Sequence, residues 1–252
     1  MKLNKNINIL LIIIIISLNN FIMANSFSAV SIMDSMLKVI HPISSKVIIA
    51  QEIISAGNIK RDFILNYFSN NYNDNILIKF LEPENIKNSA FLIKREDIFV
   101  YLINTKRIRK LSDYAKMNKS HGSDFLYEHF IESKKWNKNY NIKLGDSYSR
   151  ENYLLVLDSK DDMKTFFSTI KIYIDKLNYY PVRIQYFNHG VNIQTLVASN
   201  IVNIQGIPTP KIKIMTNHLH GSQTKMQLLD IEYYIKYEDN FFNKNSLIQY
   251  EN

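Results

Sequence analysis

The stretch TIKIYID at residues 169–175 sets Ile170, Ile172 and Ile174 at every second position, with Lys171, Tyr173 and Asp175 between them. Side chains along a strand point to opposite faces in turn, so this is the pattern of a strand with one face in a core and the other in water. PKIKIMT at 210–216 repeats it and is expected to set Ile212 and Ile214 on the dry face, opposite Lys211, Lys213 and Met215. Outward from these stretches the chain keeps one texture: short runs rich in Ile, Val, Tyr, Phe and Thr, broken by Asn, Gly, Asp and Pro about every ten residues, as in an antiparallel meander. Strands are predicted at 46–56, 59–69, 75–82, 89–95, 97–103, 106–112, 140–147, 152–159, 168–176, 180–188, 191–203, 208–217 and 223–235.

A long curved sheet with one apolar face must cover that face with another sheet, a helix or a ligand. One long helix is available. In SFSAVSIMDSMLKVIHP at 26–42, Val30, Met33, Leu37 and Ile40 fall at three- and four-residue spacings, Ser26 or Ser28 can cap the start, and Pro42 stops the end. The segment 113–139 lacks strand alternation, carries Gly122 and the sole tryptophan, Trp136, and reads as a long connection with a short helix near 124–132. Connections of that length are functional or mobile.

The first residues give an address. Lys2 and Lys5 precede an apolar run from Ile7 to Leu18, and a short polar run ends in Ile22, Met23 and Ala24, the three-part layout of a cleaved export signal. The apolar run is short for a membrane span, which needs about 20 residues. Residues 25–252 are then expected to form a single soluble domain, within the size that all-β domains reach. The chain has no cysteine, which excludes a disulfide framework, a thiol nucleophile, a thiolate metal site and a lipid-anchored terminus. Losing Lys2 and Lys5 lowers the formal charge from +8 to +6. An exported basic chain meets anionic lipid or a membrane surface rather than nucleic acid, so only transient membrane contact is expected and nucleic acid is not a partner.

ILIKFLEPENIKNSAFLI at 76–93 and YLINTKRIRKLSDYAKMNKSHGSDFLYEHF at 101–130 resemble the exported outer-membrane lipoprotein-sorting proteins with a LolA/LolB-like fold. That family's pattern is F-L-x-P-x-x-x-K-G-x-A-F-L, then Y-L-P with a basic strand, then G-S-D-F-x-Y-E-D. YYPVRIQYFNHGVNIQTL at 179–196, IQGIPTPKIKIMTNHLHGSQTKM at 204–226 and a closing Phe242 and Leu247 agree in layout, so the resemblance covers almost all of residues 25–252. Asn88 stands where the family prefers Gly, Ile103 where it prefers Pro, and His129 where it prefers Asp. The resemblance implies a mainly β fold: a half-open, curved antiparallel sheet, an incomplete barrel, covered by the N-terminal helix and a short helix in the long loop. It also implies a periplasmic carrier with an apolar cavity for the acyl chains of lipid or lipoprotein. Members of this branch resemble accessory proteins of inner-membrane RND-type exporters. No catalytic residues come with the resemblance.

An acyl-chain carrier needs apolar volume rather than a catalytic constellation, because binding comes from removing hydrocarbon from water. Candidate lining residues are Phe80, Phe91, Ile93, Phe99, Tyr101, Leu155, Ile172, Ile184 and Ile214. The same residues would look alike in a filled core, and a filled sheet would suit a non-catalytic structural or assembly factor of the cell envelope that docks proteins. Arg107 and Arg109, on one face of KRIRK at 106–110, are candidate head-group ligands, since a guanidinium holds phosphate or carboxylate with paired hydrogen bonds. The alternative is a solvated strand whose charges discourage edge pairing. Phe125, Tyr127 and Phe130 are candidate lid residues, while Ser123 or Asp124 would cap a short helix and Gly122 would supply an unusual backbone angle. His218 and His220 lack a third ligand, so no metal site is assigned, and no cofactor is expected. No G-x-S-x-G, H-E-x-x-H or phosphate-loop motif occurs, so no enzyme activity is expected.

Overall fold

The computed structural model of the chain describes residues 28–146, 149–163 and 165–248. The expected export signal and the cleavage expected after Ala24 lie outside the described residues. Helix α1, Ala29–Ile40, starts where the Ser28 hydroxyl accepts the Ser31 N–H at 3.1 Å, satisfying one of the free amides of the first turn. Its buried stripe is Ile32, Met33 and Met36, flanked by Leu37 and Ile40, whereas Val30 faces solvent.

Among the described residues, thirteen strands form one antiparallel sheet. The first meander is β1 (Ser44–Ile54), β2 (Lys60–Asn70), β3 (Asn75–Glu82), β4 (Ala90–Lys94), β5 (Asp97–Leu102) and β6 (Arg107–Lys110). The second is β7 (Tyr140–Leu144), β8 (Asn152–Ser159), β9 (Thr169–Asp175), β10 (Pro181–Asn188), β11 (Val191–Ile204), β12 (Ile207–Asn217) and β13 (Ser222–Tyr233). The two are joined where β1 pairs with β13, from Ser45 opposite Tyr233 to Ile54 opposite Gln223. β6 and β7 are the free edges, so the sheet is not closed into a barrel. Register shifts at Ile48/Ile49, Ile64/Leu65, Tyr186/Phe187 and Pro181/Arg183 bend it, as bulges do by increasing local twist.

Every predicted strand is present, but the faces differ from expectation in two places. In β9 the alternation holds: Ile170, Ile172 and Ile174 are fully buried in the core under α1. In β12 it is inverted. Met215 is fully buried, and Lys211 and Lys213 share its side of the sheet, while Ile212 and Ile214 stand half-buried on the convex side. A lysine stem is aliphatic and lies along apolar surface with its ammonium toward water, so the burial of Met215 sets the strand's orientation. The second difference is in β3 and β4, which are buried on both faces. On the convex side Phe68, Leu77, Ala90, Leu92 and Tyr101 pack against Phe242 and Leu247 of the C-terminal segment.

The connection from β6 to β7 runs across the concave side. It contains α2 (Asp113–Lys116), α3 (Trp136–Asn139) and single 3-10 turns at Ser120–Gly122, Tyr127–Phe130 and Glu132–Lys135. The short helix expected near 124–132 is replaced by these turns. Residues 124–126 are drawn out instead by a bridge between Lys119 and Leu126 and by hydrogen bonds to the sheet.

Candidate functional site

Between the concave face and this connection lies an apolar cavity of about 300 Å³, at the small end of ligand pockets, which span about 300–1,000 Å³. One wall is Val47, Ile49, Leu65, Ile78 and Phe80 from β1–β3; the other is Ile184, Leu196, Met215, Met226 and Leu228 from β10–β13. Phe125, Phe130 and Trp136 of the connection form its roof. Ile40, His41 and Pro42, where α1 ends, also line it, together with Lys211 and Lys213. A second depression, lined by Glu52, Asp62, Glu82 and Lys225, carries charges of both signs and does not suit a hydrocarbon.

Of the residues singled out from sequence, Phe80, Phe91, Ile184, Phe125 and Phe130 meet at this cavity. Ile93 and Tyr127 pack in the cluster around Phe91, with Tyr127 edge-on to it at 5.4 Å between ring centres, and neither is on the cavity wall. Leu155 and Ile172 are fully buried in the core beneath α1, away from the wall. Phe99 and Tyr101 are on the convex side, because the hairpin pairs them with Leu92 and Ala90 rather than with Phe91. Ile214 is convex for the reason given for β12. Arg107 and Arg109 are exposed on edge strand β6 and do not line the cavity. Sequence reasoning missed Lys211, Lys213 and His41, although the shared parity of Lys211, Lys213 and Met215 could have revealed the first two.

GSDF is an anchor rather than a helix cap. Asp124, 0% exposed, accepts hydrogen bonds from the Ser222 hydroxyl at 2.5 Å, the Thr224 hydroxyl at 2.9 Å and the Lys119 ammonium at 3.0 Å. Its N–H donates to Thr224 Oγ1 at 2.8 Å, and its carbonyl accepts from Gln194 Nε2 at 2.8 Å. The roof is thereby pinned to β11 and β13 beside Phe125. Gly122 has φ +77°, and a Cβ there would come within 2.9 Å of the Arg61 guanidinium, whose Nη2 donates to the Gly122 carbonyl at 3.3 Å.

The departures from the family pattern also find physical roles. Asn88 has φ +68°, a left-handed conformation that Asn tolerates and Gly adopts freely. Ile103 donates its N–H to Ser89 Oγ at 3.2 Å, a bond that proline would not make. His129 Nδ1 accepts the Leu126 N–H at 3.0 Å, so a neutral imidazole supplies the acceptor that an aspartate would. Burial holds the His129 imidazole down at about 3 and that of His121, tilted against Phe80 with 4.2 Å between ring centres, at about 4. His41, whose Nε2 is 2.9 Å from Ser133 Oγ, is held at about 4 by burial and then by the nearby Lys134. Burial raises the Glu132 carboxyl well above the usual carboxylate range. The three imidazoles are therefore neutral near pH 7, and His218 is engaged by Thr195 Oγ1 at 2.9 Å.

A family model described only as an uncharacterized protein matches residues 72–249. The chain belongs to that family. Solved structures give the family's fold a wider setting. A DUF1329 family protein from Desulfovibrio piger is 18% identical with a TM-score of 0.78, covering 87% of this chain and 97% of that one. A LolA superfamily protein from Nitrosomonas europaea is 20% identical with a TM-score of 0.71, covering 87% and 99%. A candidate outer membrane lipoprotein-sorting protein domain from Vibrio parahaemolyticus is 24% identical with a TM-score of 0.69, covering 82% and 92%. This member of the family thus has the LolA-like fold that the FLEP and GSDF segments imply. No curated protein matches the sequence.

Proposed function

We propose that residues 25–252 form one exported domain, a non-catalytic periplasmic carrier that holds the acyl chain of a lipid or lipoprotein in this cavity and moves it between the inner and outer membranes. An inner-membrane RND-type exporter is the proposed donor. The observation that carries the reading is the apolar cavity of about 300 Å³ inside an unclosed sheet. Each square ångström of hydrocarbon moved there from water is worth about 25 cal/mol. An envelope factor acting only by docking would have no use for the space. The LolA-like neighbours, one of them a candidate lipoprotein-sorting domain, support the same reading.

Uptake of a fluorescent fatty acid tests it. Ala198 lies on the cavity wall opposite Lys213, and Ala198→Trp puts an indole where the chain would lie. The wild-type protein should take up the probe and the variant should not, with both still showing a cooperative thermal transition. Equal uptake by a folded variant would remove the cavity from the mechanism.

A further inference from the structure

Two lysines line the cavity, and among the described residues neither has an anion of its own. Lys211 and Lys213 rise from β12 on the side of Met215, half-buried, and both line the cavity. Among the described residues neither ammonium has a hydrogen-bond or ion-pair partner. Other lysines of the roof are matched: Lys134 with Asp74 at 2.6 Å and Lys119 with Asp124 at 3.0 Å. His41, which also lines the cavity, brings no counter-charge. The small Ala198 opposite Lys213 does not screen it, and Met226 on its other flank is apolar. With aliphatic stems along the apolar wall and ammonium groups toward water, the pair is placed to hold the anion of a ligand whose chain lies in the cavity.

We infer that Lys211 and Lys213 mark the mouth of the cavity and form a head-group site: the cargo is an anionic amphiphile whose acyl chain enters the cavity and whose carboxylate or phosphate these two lysines hold. The inference rests on the carrier reading and narrows it. It also moves the head-group site from Arg107 and Arg109, exposed on the edge strand, to β12. Lys211→Gln/Lys213→Gln keeps much of each stem and removes both charges.

Palmitate and the fatty alcohol of equal length are the probes, titrated into the wild-type protein and the double variant. The variant should bind palmitate about tenfold more weakly, equivalent to about 1.4 kcal/mol, and the alcohol as the wild type does. Lys211→Arg/Lys213→Arg should restore palmitate binding. Excess inorganic phosphate should not displace palmitate, whereas its displacement would identify a free-anion site and overturn the proposal. Equal losses for acid and alcohol, or no loss for either, would overturn it while leaving the carrier reading intact. A wild-type protein that binds neither probe would overturn both.

Discussion

Asp124→Asn should lower the melting temperature by roughly 6–12 °C, from a loss of about 3 kcal/mol in a domain of this size. The carboxylate is fully buried and receives the Ser222 and Thr224 hydroxyls and the Lys119 ammonium. The amide keeps the shape but gives up the charge and one acceptor oxygen, and charge-assisted bonds of this kind contribute about 1.5–3 kcal/mol each. Thr224→Val removes a partner from the other side, so the two substitutions combined should cost less than the sum of their separate costs. Thermal denaturation of the four proteins measures both quantities. A variant that melts with the wild type, or strictly additive losses, would show that Asp124 does not pin the roof to the sheet.

Acidification should destabilise the fold steeply below pH 6.5. An unfolded histidine titrates near pH 6.5, whereas His41 and His121 are held at about 4 and His129 at about 3. Between those values the unfolded chain binds protons that the folded chain refuses, so stability rises with pH and is lost as pH falls. Each histidine contributes up to about 1.4 kcal/mol per pH unit in that window. Glu132 and Glu128 act in the opposite sense, since burial raises both carboxyls and their penalty shrinks as pH falls. Three histidines outweigh two glutamates, so the net effect between pH 6.5 and 4.5 should be a loss of stability, read from urea unfolding at a series of pH values. His121→Phe deletes two buried ring nitrogens without partners and should flatten the pH dependence. A stability independent of pH across this range would mean that these imidazoles are not shielded from water.

The strand plan was legible in the sequence because Asn, Gly, Asp and Pro punctuate it and because β9 has one wet side. Facing was harder where that contrast fails. β4 and β5 are apolar on both sides, so nothing local separates Phe91, on the cavity side, from Phe99 and Tyr101, which contact the C-terminal segment. In β12 the two isoleucines attracted the reading, and the amphipathic stems of Lys211 and Lys213 concealed a concave position. The anchor was beyond local patterns altogether, because Asp124 meets Ser222 and Thr224 about a hundred residues later. Nor does periodicity distinguish a hollow from a filled interior, since both present the same inward faces.

Native mass spectrometry of the protein, expressed with its own N-terminus and purified from the envelope without detergent, measures cavity occupancy directly. One acidic amphiphile per molecule should accompany the wild-type protein, be lost on solvent extraction, return on incubation with palmitate, and be absent from Ala198→Trp. Protein that flies at the bare mass of the chain, before and after palmitate is added, would contradict a carrier.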